Sequence, residues 1–496
     1  MLSIPKRRKL VGGLEAHYYT TAETFEEDVL AEAISPFAAI EGVESPVVVL
    51  PDVSHKADRI SPTGMTLATR GSIVPAAVPA ANGSGVRMAC LDLDETDLNQ
   101  DRIARFLQVL SARIPIYGED SPSLIRGRLR ESDLHGIYRG GVPFLMERLG
   151  LEESIERIES GGRFPVEIES SEEFRRFVPD YFLEQGLHNF GILESGNHFI
   201  ELQIVDEILN VDLARAAGLE TGRAIVMIHD GSPASLVGQY FHPCRYAKAR
   251  ESERFEADKR AYHERFRGSS TGDSNPSEAG PDSRFFAPSS PYYSIEEGTP
   301  AHRRFMALMG MACNFGLANR AYLQHIVEDT LRTLFGRPEI RCRTLTDTLH
   351  DCVKRVEIDQ QSFMVHRHGA SEARPASTYG TDHPFSQTGQ MLAIPGAPGR
   401  PSFLAAAVDT DPTWHSSNHG AGRKVDRGIA RARFEEAASI AAVRESGAAL
   451  LRGGLASFSG EHPEAYKEGA EVLGLAEEAD ILRGVARLRP VAIYKG

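Results

Sequence analysis

The sequence predicts an α+β fold in one large domain, because it carries both short buried strands and long amphipathic helices. Two runs rich in valine and isoleucine, PVVVLPD at 46–52 and RAIVMIHDGS at 223–232, have the length of buried strands. The segments 101–115 and 303–335 instead repeat apolar residues at helical spacing. No internal repeat divides the 496 residues, so a single domain over 1–496 is the simplest organisation.

Each element carries a local signal for where it ends or how deeply it is buried. The first strand is closed by Pro51, and the second ends at His229 before a turn. Pro115 ends the first helix, since proline cannot continue a helix. The helix at 303–335 is apolar on much of its surface, which predicts a central buried position. The alanine-rich stretch 428–452 is predicted to be a further helix.

Residues 251–292 form a polar segment unlike the rest of the chain. The segment is charged first and becomes rich in serine, glycine and proline from Gly268 onward. Its first part is predicted to be an exposed helix, and its second part a mobile loop. It is therefore expected to be an insertion within the domain, acting as a lid, an interface or a disordered spacer.

Composition limits the classes to which the protein can belong. The net charge of −14 argues against a broad basic surface for nucleic acid. The local arginine cluster IRGRLRESD (125–133) is compatible with either a nucleic-acid groove or a solvated turn. The five cysteines lack CxxC spacing, so neither a disulfide framework nor a zinc ribbon is indicated, and a cytoplasmic location is expected. No apolar run reaches the roughly 18 residues of a membrane span, so no membrane partner is expected.

Histidines next to small residues or at the ends of apolar segments are the main candidates for chemistry. In SSNHGAGRKVDR (416–427), a glycine-rich turn and three cations follow His419, an arrangement that suits a phosphate group. By itself that histidine is compatible with a packing residue, a metal ligand or a nucleophile. His198, His229 and His350 end apolar segments or lie in turns, and each is either a metal ligand or a structural histidine.

A series of motifs, taken in chain order, resembles the RtcB family. Members of that family are GTP-dependent ligases that join RNA ends bearing a 3′-phosphate or 2′,3′-cyclic phosphate to 5′-hydroxyl ends. The motifs span nearly the whole chain and are VVVLPDVSHKADRISPTGMTLAT, GSGVRMACLDLDETDL, SGNHFIELQ, NFGLANRAYL, VHRHGA, SSNHGAGRKVDR, EHPEAYKEGAEVL and VARLRPVAIYKG. The resemblance implies mixed or antiparallel sheets with flanking helices around a central site.

The resemblance also implies which residues form that site. His419 matches the family's nucleophile, which attacks the α-phosphate of GTP and then carries GMP. The matches to the ligands of one or two manganese ions are His198, His229 and His350. The residues expected to bind the nucleotide are Asn197, Glu201, Ser402, Gly420, Ala421, Gly422, Arg423, Tyr466 and Lys495. Of these, the tyrosine is expected to pack on the guanine and the lysine to read the base.

Two metal ligands of the family are replaced in this chain. In ANGSGVR, Ala81 stands in the place of an aspartate and Ser84 in the place of a cysteine that bridges two ions. A neutral hydroxyl is a weak replacement for a soft, negatively charged thiolate. A two-ion site is therefore expected to be weakened strongly, with Asn82 and Ser84 left to assist one ion held by three histidines. The other positions that differ from the family pattern are Pro233, Asp351, Ala397 and the displaced His55, whereas Asp52 is kept.

The function implied by the resemblance is that of an RNA splicing or repair ligase, which works through a guanylylated histidine and depends on GTP and manganese. The guanylate half of the site matches the family better than the metal half does, so two alternatives remain open. One is a regulatory module that binds a guanine nucleotide or RNA without ligating it. The other is an enzyme limited to self-guanylylation or phosphate hydrolysis. Taken singly, Glu201 is also compatible with a surface strand carboxylate, and Tyr466 with a packing aromatic.

Overall fold

The predicted α+β fold is confirmed by the computed structural model, in which helices and mainly antiparallel sheets share the chain. The structure describes residues 7–21, 27–54, 60–79, 82–117, 129–168, 170, 172–174, 180–231, 291–453 and 457–496. The predicted insertion at 251–292 lies outside these ranges except for its last two residues, so its helix and loop stay predictions. Residues 125–128 of the arginine cluster also lie outside them.

Strands and α-helices are interspersed along the chain. The strands in the described part of the chain are β1 (Arg7–Val11), β2 (Leu14–Tyr18), β3 (Val43–Ser54), β4 (Thr63–Thr69), β5 (Ser72–Ile73), β6 (Gly85–Asp94), β7 (Phe199–Ile208), β8 (Arg223–Asp230), β9 (Ile295–Glu296), β10 (Cys342–Leu349), β11 (Asp351–Ile358), β12 (Gln361–His368), β13 (Ala370–Glu372), β14 (Met391–Ile394), β15 (Ser402–Ala407), β16 (Ser416–Asn418), β17 (Ala449–Arg452) and β18 (Leu482–Lys495). The α-helices described in the same ranges are α1 (Glu27–Ile34), α2 (Gln100–Arg113), α3 (Glu131–Leu149), α4 (Asp180–Asn189), α5 (Val211–Ala217), α6 (Pro300–Phe335), α7 (Arg427–Arg433), α8 (Glu436–Glu445) and α9 (Gly469–Glu478).

Two large sheets organise the described chain. The first has the strand order β1-β2-β3-β4-β12-β11, and all its pairs are antiparallel except β2 with β3. The second has the order β10-β6-β8-β7-β18-β15-β14, with β17 lying parallel to β18 at its side. Two short pairs, β13 with β16 and β5 with β9, complete the sheet structure of the described residues.

One edge of the second sheet collects the residues that the sequence singled out. Neighbouring strands run in opposite directions, so the starts of β6 and β7 lie beside the ends of β8, β10 and β18. Gly85 accordingly pairs with both Asp230 and Leu349, and Phe199 pairs with both His229 and Lys495. Antiparallel pairing thus brings together chain segments that are far apart in the sequence.

The long helix α6 confirms the predicted central buried helix at 303–335. It begins after Thr299, whose Oγ1 accepts a hydrogen bond from the backbone of His302, and it ends at Gly336 in the left-handed conformation. Its apolar residues form part of the largest core cluster. Neither α6 nor any other helix within the described ranges is long and apolar enough to cross a membrane.

The prediction of one helix over 428–452 is wrong in its extent. The stretch forms two helices, α7 and α8, with an extended Phe434 between them, and then the strand β17. Gly447, at φ 87°, turns the chain after the second helix. Residues 449–452 then pair with 492–495 of β18. Alanine's helical preference is a weak local term, and pairing with a sheet strand overrides it in this stretch.

The first predicted strand is longer than expected. The strand β3 runs over twelve residues and continues past Pro51, which therefore does not close it. The pairing of β3 with β4 shifts register between Val49 and Ser54. Proline is tolerated in such an irregular stretch, since no ladder hydrogen bond is required from it. The consequence is that Asp52 lies within the strand, where its side chain is fully buried.

Candidate active site

The side chain of Asp52 holds His419 through two of its atoms. The backbone N–H of His419 donates to Asp52 Oδ2 at 3.0 Å, and the ring Nδ1 lies 2.6 Å from the same oxygen. The carboxylate is fully buried, whereas 17% of the histidine side chain is exposed. In the neutral form of the ring, this contact favours a proton on Nδ1, so that Nε2 carries the lone pair.

The electrostatic environment of His419 favours a positive charge on the ring. Burial lowers the pKa of this histidine, but the adjacent Asp52 carboxylate outweighs burial, so the pKa is raised above its ordinary value. The buried Lys467 fixes the chain on both sides of the aspartate, since its Nζ donates to the carbonyls of Pro51 at 3.1 Å and Val53 at 2.7 Å. The ion pair is therefore held in a preset geometry.

The loop that follows the histidine is pinned to its surroundings. Gly422 has a φ of 72°, and a Cβ there would lie 2.1 Å from the carbonyl oxygen of Asp52, so only glycine fits. The N–H of Ala421 donates to the carbonyl of Pro395 at 3.0 Å. This amide and that of His419 are thus engaged within the protein, and the phosphate contacts expected of residues 420–423 stay predictions.

The four histidines singled out in the sequence lie in one row. Ring centroids are 4.7 Å apart for His198 and His229, 5.1 Å for His229 and His350, and 4.7 Å for His350 and His419. Ser84 Oγ lies 3.4 Å from the Nε2 atoms of both His198 and His229. The residues matched to metal ligands and to the nucleophile therefore lie side by side.

The chemistry of this row fits a divalent cation. Burial lowers the pKa values of His229 and His350 well below their ordinary range, with neighbouring imidazoles adding to the effect. Both rings are therefore neutral near pH 7, which is the form that binds metal. The buried Nδ1 of His350 also makes no hydrogen bond within the described residues. With Ser84 in place of a thiolate, the donors in the row are nitrogen and oxygen atoms, which suit manganese.

Some of the positions that differ from the family pattern lie outside the described residues, and others lie within them. His55, Ala81 and Pro233 lie outside the described residues. Asp351 is described, and its Oδ1 accepts a hydrogen bond from the Gly369 N–H at 2.8 Å, while its Oδ2 lies 3.9 Å from His350 Nε2. Asp351 thus fixes the turn next to the histidine row.

Two of the predicted nucleotide-binding residues are joined by a glutamine that the sequence analysis did not single out. Gln203 Nε2 donates to Glu201 Oε2 at 2.6 Å and to Ser402 Oγ at 3.1 Å. The serine hydroxyl also accepts from the Gly396 N–H at 3.0 Å. Burial raises the pKa of Glu201 to about 7. This side chain is therefore a buried acceptor for Gln203 and not a surface strand carboxylate.

A second residue missed by the sequence analysis, Glu461, is the centre of the remaining nucleotide group. Its carboxylate contacts Arg423 at 2.6 Å, Arg427 at 3.0 Å and Lys495 at 3.6 Å, and it accepts a hydrogen bond from the Tyr466 hydroxyl at 2.5 Å. Despite its burial, the surrounding cations lower its pKa to about 2. The glutamate lies in the EHPEAYK motif, but no spacing rule indicates its partners.

Tyr466 and Lys495, the residues expected to recognise the base, are both held by neighbouring groups of the protein. The guanidinium of Arg423 lies 4.3 Å from the ring centroid of Tyr466 and covers one of its faces. Lys495 Nζ donates to the carbonyls of Gly196 at 2.7 Å and His198 at 3.2 Å. Burial lowers the pKa of this lysine to about 8. Its position at the end of β18 is set by pairing with the start of β7.

The remaining predicted residue, Asn197, lies in the turn just before β7. Its Oδ1 accepts a hydrogen bond from Arg427 at 3.2 Å, and that arginine also pairs with Glu461. The structure therefore brings six of the nucleotide candidates into two groups: Glu201 and Ser402 around Gln203, and Asn197, Arg423, Tyr466 and Lys495 around Glu461.

Two polar residues of α6 form hydrogen bonds to the segments that carry the site. The sequence analysis gave these residues no role. Asn319 donates to Asp230 Oδ2 at 2.6 Å and accepts from the Gly191 N–H at 2.6 Å. Arg320 donates to the carbonyls of Gly83 at 3.2 Å and Asp230 at 2.8 Å. The available signal was their polarity within a long buried helix, where an unpaired polar side chain is costly.

Comparison with known proteins agrees with the motifs. A family model described as "tRNA-splicing ligase RtcB" matches residues 33–496. The chain is 26% identical over 488 residues to the tRNA-splicing ligase RtcB of Thermococcus kodakarensis, covering 96% of this chain and 92% of that protein. It is 28% identical over 436 residues to the RNA-splicing ligase RtcB of Mycobacterium tuberculosis, covering 86% and 90% of the two chains.

Other relatives are longer. The match to the tRNA-splicing ligase RtcB of Methanopyrus kandleri, 27% identical over 501 residues, covers 96% of this chain and 47% of that protein. The chain thus spans about half the length of that relative. Because the family model covers all but the first 32 residues, the match is not confined to one motif. The chain therefore belongs to the RtcB family.

Proposed function

We propose that the protein is an RNA ligase that joins a 3′-phosphate or 2′,3′-cyclic phosphate end to a 5′-hydroxyl end, using GTP through a guanylylated His419. The observation that carries the proposal is the fixed ion pair of this histidine with Asp52, directly beside the row of buried histidines. A nucleophilic imidazole needs one nitrogen held and the other free. Family membership and the names of the relatives support RNA ligation as the general reaction.

In the first step, His419 Nε2 attacks the α-phosphorus of GTP. A nitrogen–phosphorus bond forms, and the bond from that phosphorus to the bridging oxygen breaks, so pyrophosphate leaves with the electron pair. The ring becomes positively charged as the bond forms, and the Asp52 carboxylate on Nδ1 stabilises that charge. Lys467 keeps the aspartate in place during this change through its two backbone contacts.

In the second step, an oxygen of the RNA 3′-phosphate attacks the same phosphorus and the nitrogen–phosphorus bond breaks. The imidazole recovers its lone pair, and the RNA end carries GMP through a phosphoanhydride. The 5′-hydroxyl oxygen then attacks the 3′-phosphate phosphorus, its proton is lost to water, and GMP leaves. A 2′,3′-cyclic end first requires opening by water to a 3′-phosphate. Covalent catalysis of this kind divides one difficult displacement into easier ones.

The remaining site residues bind and orient the reactants. Manganese held by His198, His229 and His350 neutralises phosphate charge when it is bound. Glu201 is suited to accept hydrogen bonds from the guanine N–H groups, and Lys495 to donate to the base's oxygen and nitrogen acceptors. Arg423 occupies one face of Tyr466, so the guanine is expected on the other face. Residues 420–423 are proposed to contact the phosphates once the nucleotide enters.

Labelling with GTP tests the first step. The protein is incubated with α-labelled GTP and manganese and then separated on a denaturing gel. We expect a labelled band for the wild-type protein and none for His419→Ala. His383→Ala, which removes a partly exposed histidine stacked on Tyr379 away from the row, is the matched control and should stay labelled. Absence of label with every divalent metal would overturn the proposal.

A second candidate function is self-guanylylation without ligation. It is favoured by Ser84, whose neutral hydroxyl contacts two of the histidines where the family has a thiolate. The two candidates separate in one further assay, in which labelled protein receives RNA with a 3′-phosphate and a 5′-hydroxyl partner. A joined product supports the ligase, whereas stable label without product supports the second candidate.

A further inference from the structure

Gln203 connects two of the residues matched to the family's nucleotide site, although the resemblance assigns no role to the glutamine itself. It lies on β7 two positions after Glu201, so the two side chains leave the same face of the strand. Its Nε2 carries two hydrogen atoms, of which one is donated to Glu201 Oε2 and the other to Ser402 Oγ. Both donors of this fully buried amide are thus used on residues of one site.

The oxygen of the same amide shows that these two contacts set its orientation. Gln203 Oε1 is buried and makes no hydrogen bond within the described residues, which is unfavourable for a polar atom. Rotating the amide by half a turn would bring this oxygen against the Glu201 carboxylate, so that two acceptors would face each other. The carboxylate therefore determines which way the amide points.

The contacts of this amide decide what the hydroxyl of Ser402 can do. A hydroxyl has two acceptor lone pairs and one hydrogen atom to donate. Both lone pairs are occupied, since Ser402 Oγ accepts from Gln203 Nε2 at 3.1 Å and from the Gly396 N–H at 3.0 Å. Within the described part of the chain, no acceptor takes its hydrogen atom. The serine is therefore left as a donor only.

The carboxylate of Glu201 is left with the opposite role. Its Oε2 accepts from Gln203 at 2.6 Å, whereas its Oε1 makes no hydrogen bond with any described residue. Burial raises the pKa of Glu201 to about 7, and the hydrogen bond from Gln203 opposes that rise. The glutamine thus favours the ionised form of the carboxylate, which can only accept hydrogen bonds.

A donor close to an acceptor matches the edge of guanine. Ser402 and Glu201 lie close together, because both are bonded to one nitrogen atom of Gln203. Guanine presents its O6 acceptor next to N1–H and N2–H donors, whereas adenine presents an N6–H donor next to an N1 acceptor. We propose that Gln203 is a positioning residue that makes the site select guanine over adenine, by restricting Ser402 to donating and Glu201 to accepting. The inference deepens the proposed function and rests on it for the nucleotide that enters the site.

Titration with GMP and AMP tests the inference without any transfer reaction, because neither nucleotide has a pyrophosphate to lose. Both affinities are measured by calorimetry, in the presence of manganese, for the full wild-type chain and for Gln203→Met. We expect the wild-type protein to prefer GMP, and this preference to fall at least about tenfold in the variant, mainly through weaker binding of GMP. An unchanged preference in Gln203→Met would overturn the inference, as would equal affinities of the wild-type protein for the two nucleotides.

Gln324→Met is the matched control for damage to the fold. This glutamine is also buried and also donates to a carboxylate, Glu153 Oε2 at 3.3 Å, but it lies on α6 next to the start of β10. Its replacement should lower stability and leave the preference for GMP unchanged, because a purely structural loss weakens the binding of both nucleotides alike. An equal loss of preference in Gln324→Met would show that the effect at Gln203 is structural only, and the inference would fail.

A crystal of the wild-type protein with GMP gives a readout that needs no variant. The expected result is guanine N1 within hydrogen-bond distance of Glu201 and O6 within that distance of Ser402, with both contacts of Gln203 retained. A base that contacts neither residue would overturn the inference. If GMP binds in the expected way but no label forms with GTP, the inference stands and the ligase proposal fails. Label on His419 together with an unchanged preference in Gln203→Met would have the reverse meaning.

Discussion

Asp52 and His419, 367 residues apart in the chain, are joined at one oxygen atom that contacts both the backbone N–H and the ring Nδ1 of the histidine. The contact to the backbone fixes the position of His419, and the contact to Nδ1 fixes the rotation of its ring. An imidazole fixed in this way presents its other nitrogen in one direction, which is the requirement for attack on a phosphorus atom.

Replacement of the aspartate by its amide should therefore slow guanylylation without unfolding the protein. In Asp52→Asn the ring loses the anion that stabilises its positive charge, and we expect the labelling rate to fall about 10²- to 10⁴-fold. The rate is measured in a single turnover with α-labelled GTP. Asp411→Asn, which breaks a similar contact to His415, is the control. A rate within twofold of the wild type would contradict this role for Asp52.

The buried amine of Lys467 should matter for both stability and labelling. In Lys467→Met the carbonyls of Pro51 and Val53 lose their donor, so we expect a loss of about 1–3 kcal/mol in the free energy of unfolding. Urea denaturation measures that loss, and the labelling rate should fall with it because Asp52 is less well held. Lys9→Met, at an exposed position on β1, should change neither quantity. Equal stability of the two variants would contradict the prediction.

Acid stability should depend on Glu461. Its pKa is lowered to about 2 in the folded protein, so its carboxylate adds stability that is fully present above the unfolded value of about 4.3 and is lost as the pH falls toward 2. Glu461→Gln should therefore be less stable at pH 7 by on the order of 3 kcal/mol, and this difference should shrink at pH 3. Urea denaturation at both values measures it, with the exposed Glu464→Gln as the control. A difference that does not change with pH would refute the assignment.

The ring of Tyr466 and its hydroxyl should make separable contributions to nucleotide affinity. Tyr466→Ala removes the stacking surface, and we expect GTP to bind more weakly by about 1–3 kcal/mol. Tyr466→Phe keeps the ring and loses only the hydroxyl's bonds to Glu461 and Arg423, so its affinity should lie close to that of the wild type. Calorimetric titration with GTP measures both. Equal losses in the two variants would show that stacking is not the main contribution.

The residue at position 84 should control the preference of the histidine row for soft metals. Ser84→Cys places a thiol beside the two imidazoles that the serine hydroxyl now contacts, so we expect cadmium affinity to rise by at least about tenfold, with a thiolate absorption band in the ultraviolet. Ser84→Ala removes the hydroxyl without adding a thiolate and should show neither effect. Cadmium affinities that match in the two variants would indicate that this position does not face the ion.

The elements that can be predicted from the sequence are those decided by local pattern. The pattern at 303–335 predicts helix α6 to within three residues of each end, because its apolar spacing and length leave no competing structure. The stretch 428–452 is misassigned at its end, because residues 449–452 are strand only through their pairing with β18. Periodicity reports local burial, whereas strand pairing depends on a partner that is distant in the chain.

Some residues of the candidate site can likewise be predicted from the sequence, and others can be identified only from contacts in the folded protein. The four histidines carry recognisable motifs, and they do lie in one row. Gln203 and Glu461 carry no such signal, since their importance comes from contacts with Ser402 and Arg423 that only the folded sheets create. Buried polar residues of α6 are the intermediate case. Their type is visible in the sequence, but the strand ends that they contact are not.

The position of His350 has a consequence for how the protein would respond to its ligands. It is the only residue between β10 of the second sheet and β11 of the first, so the histidine row crosses the seam between the two sheets. A ligand that contacts histidines on both sides of this boundary therefore holds the two sheets together. Such a ligand at a hundred times its dissociation constant adds about 2.7 kcal/mol to stability, so the melting temperature of the protein becomes a gauge of site occupancy.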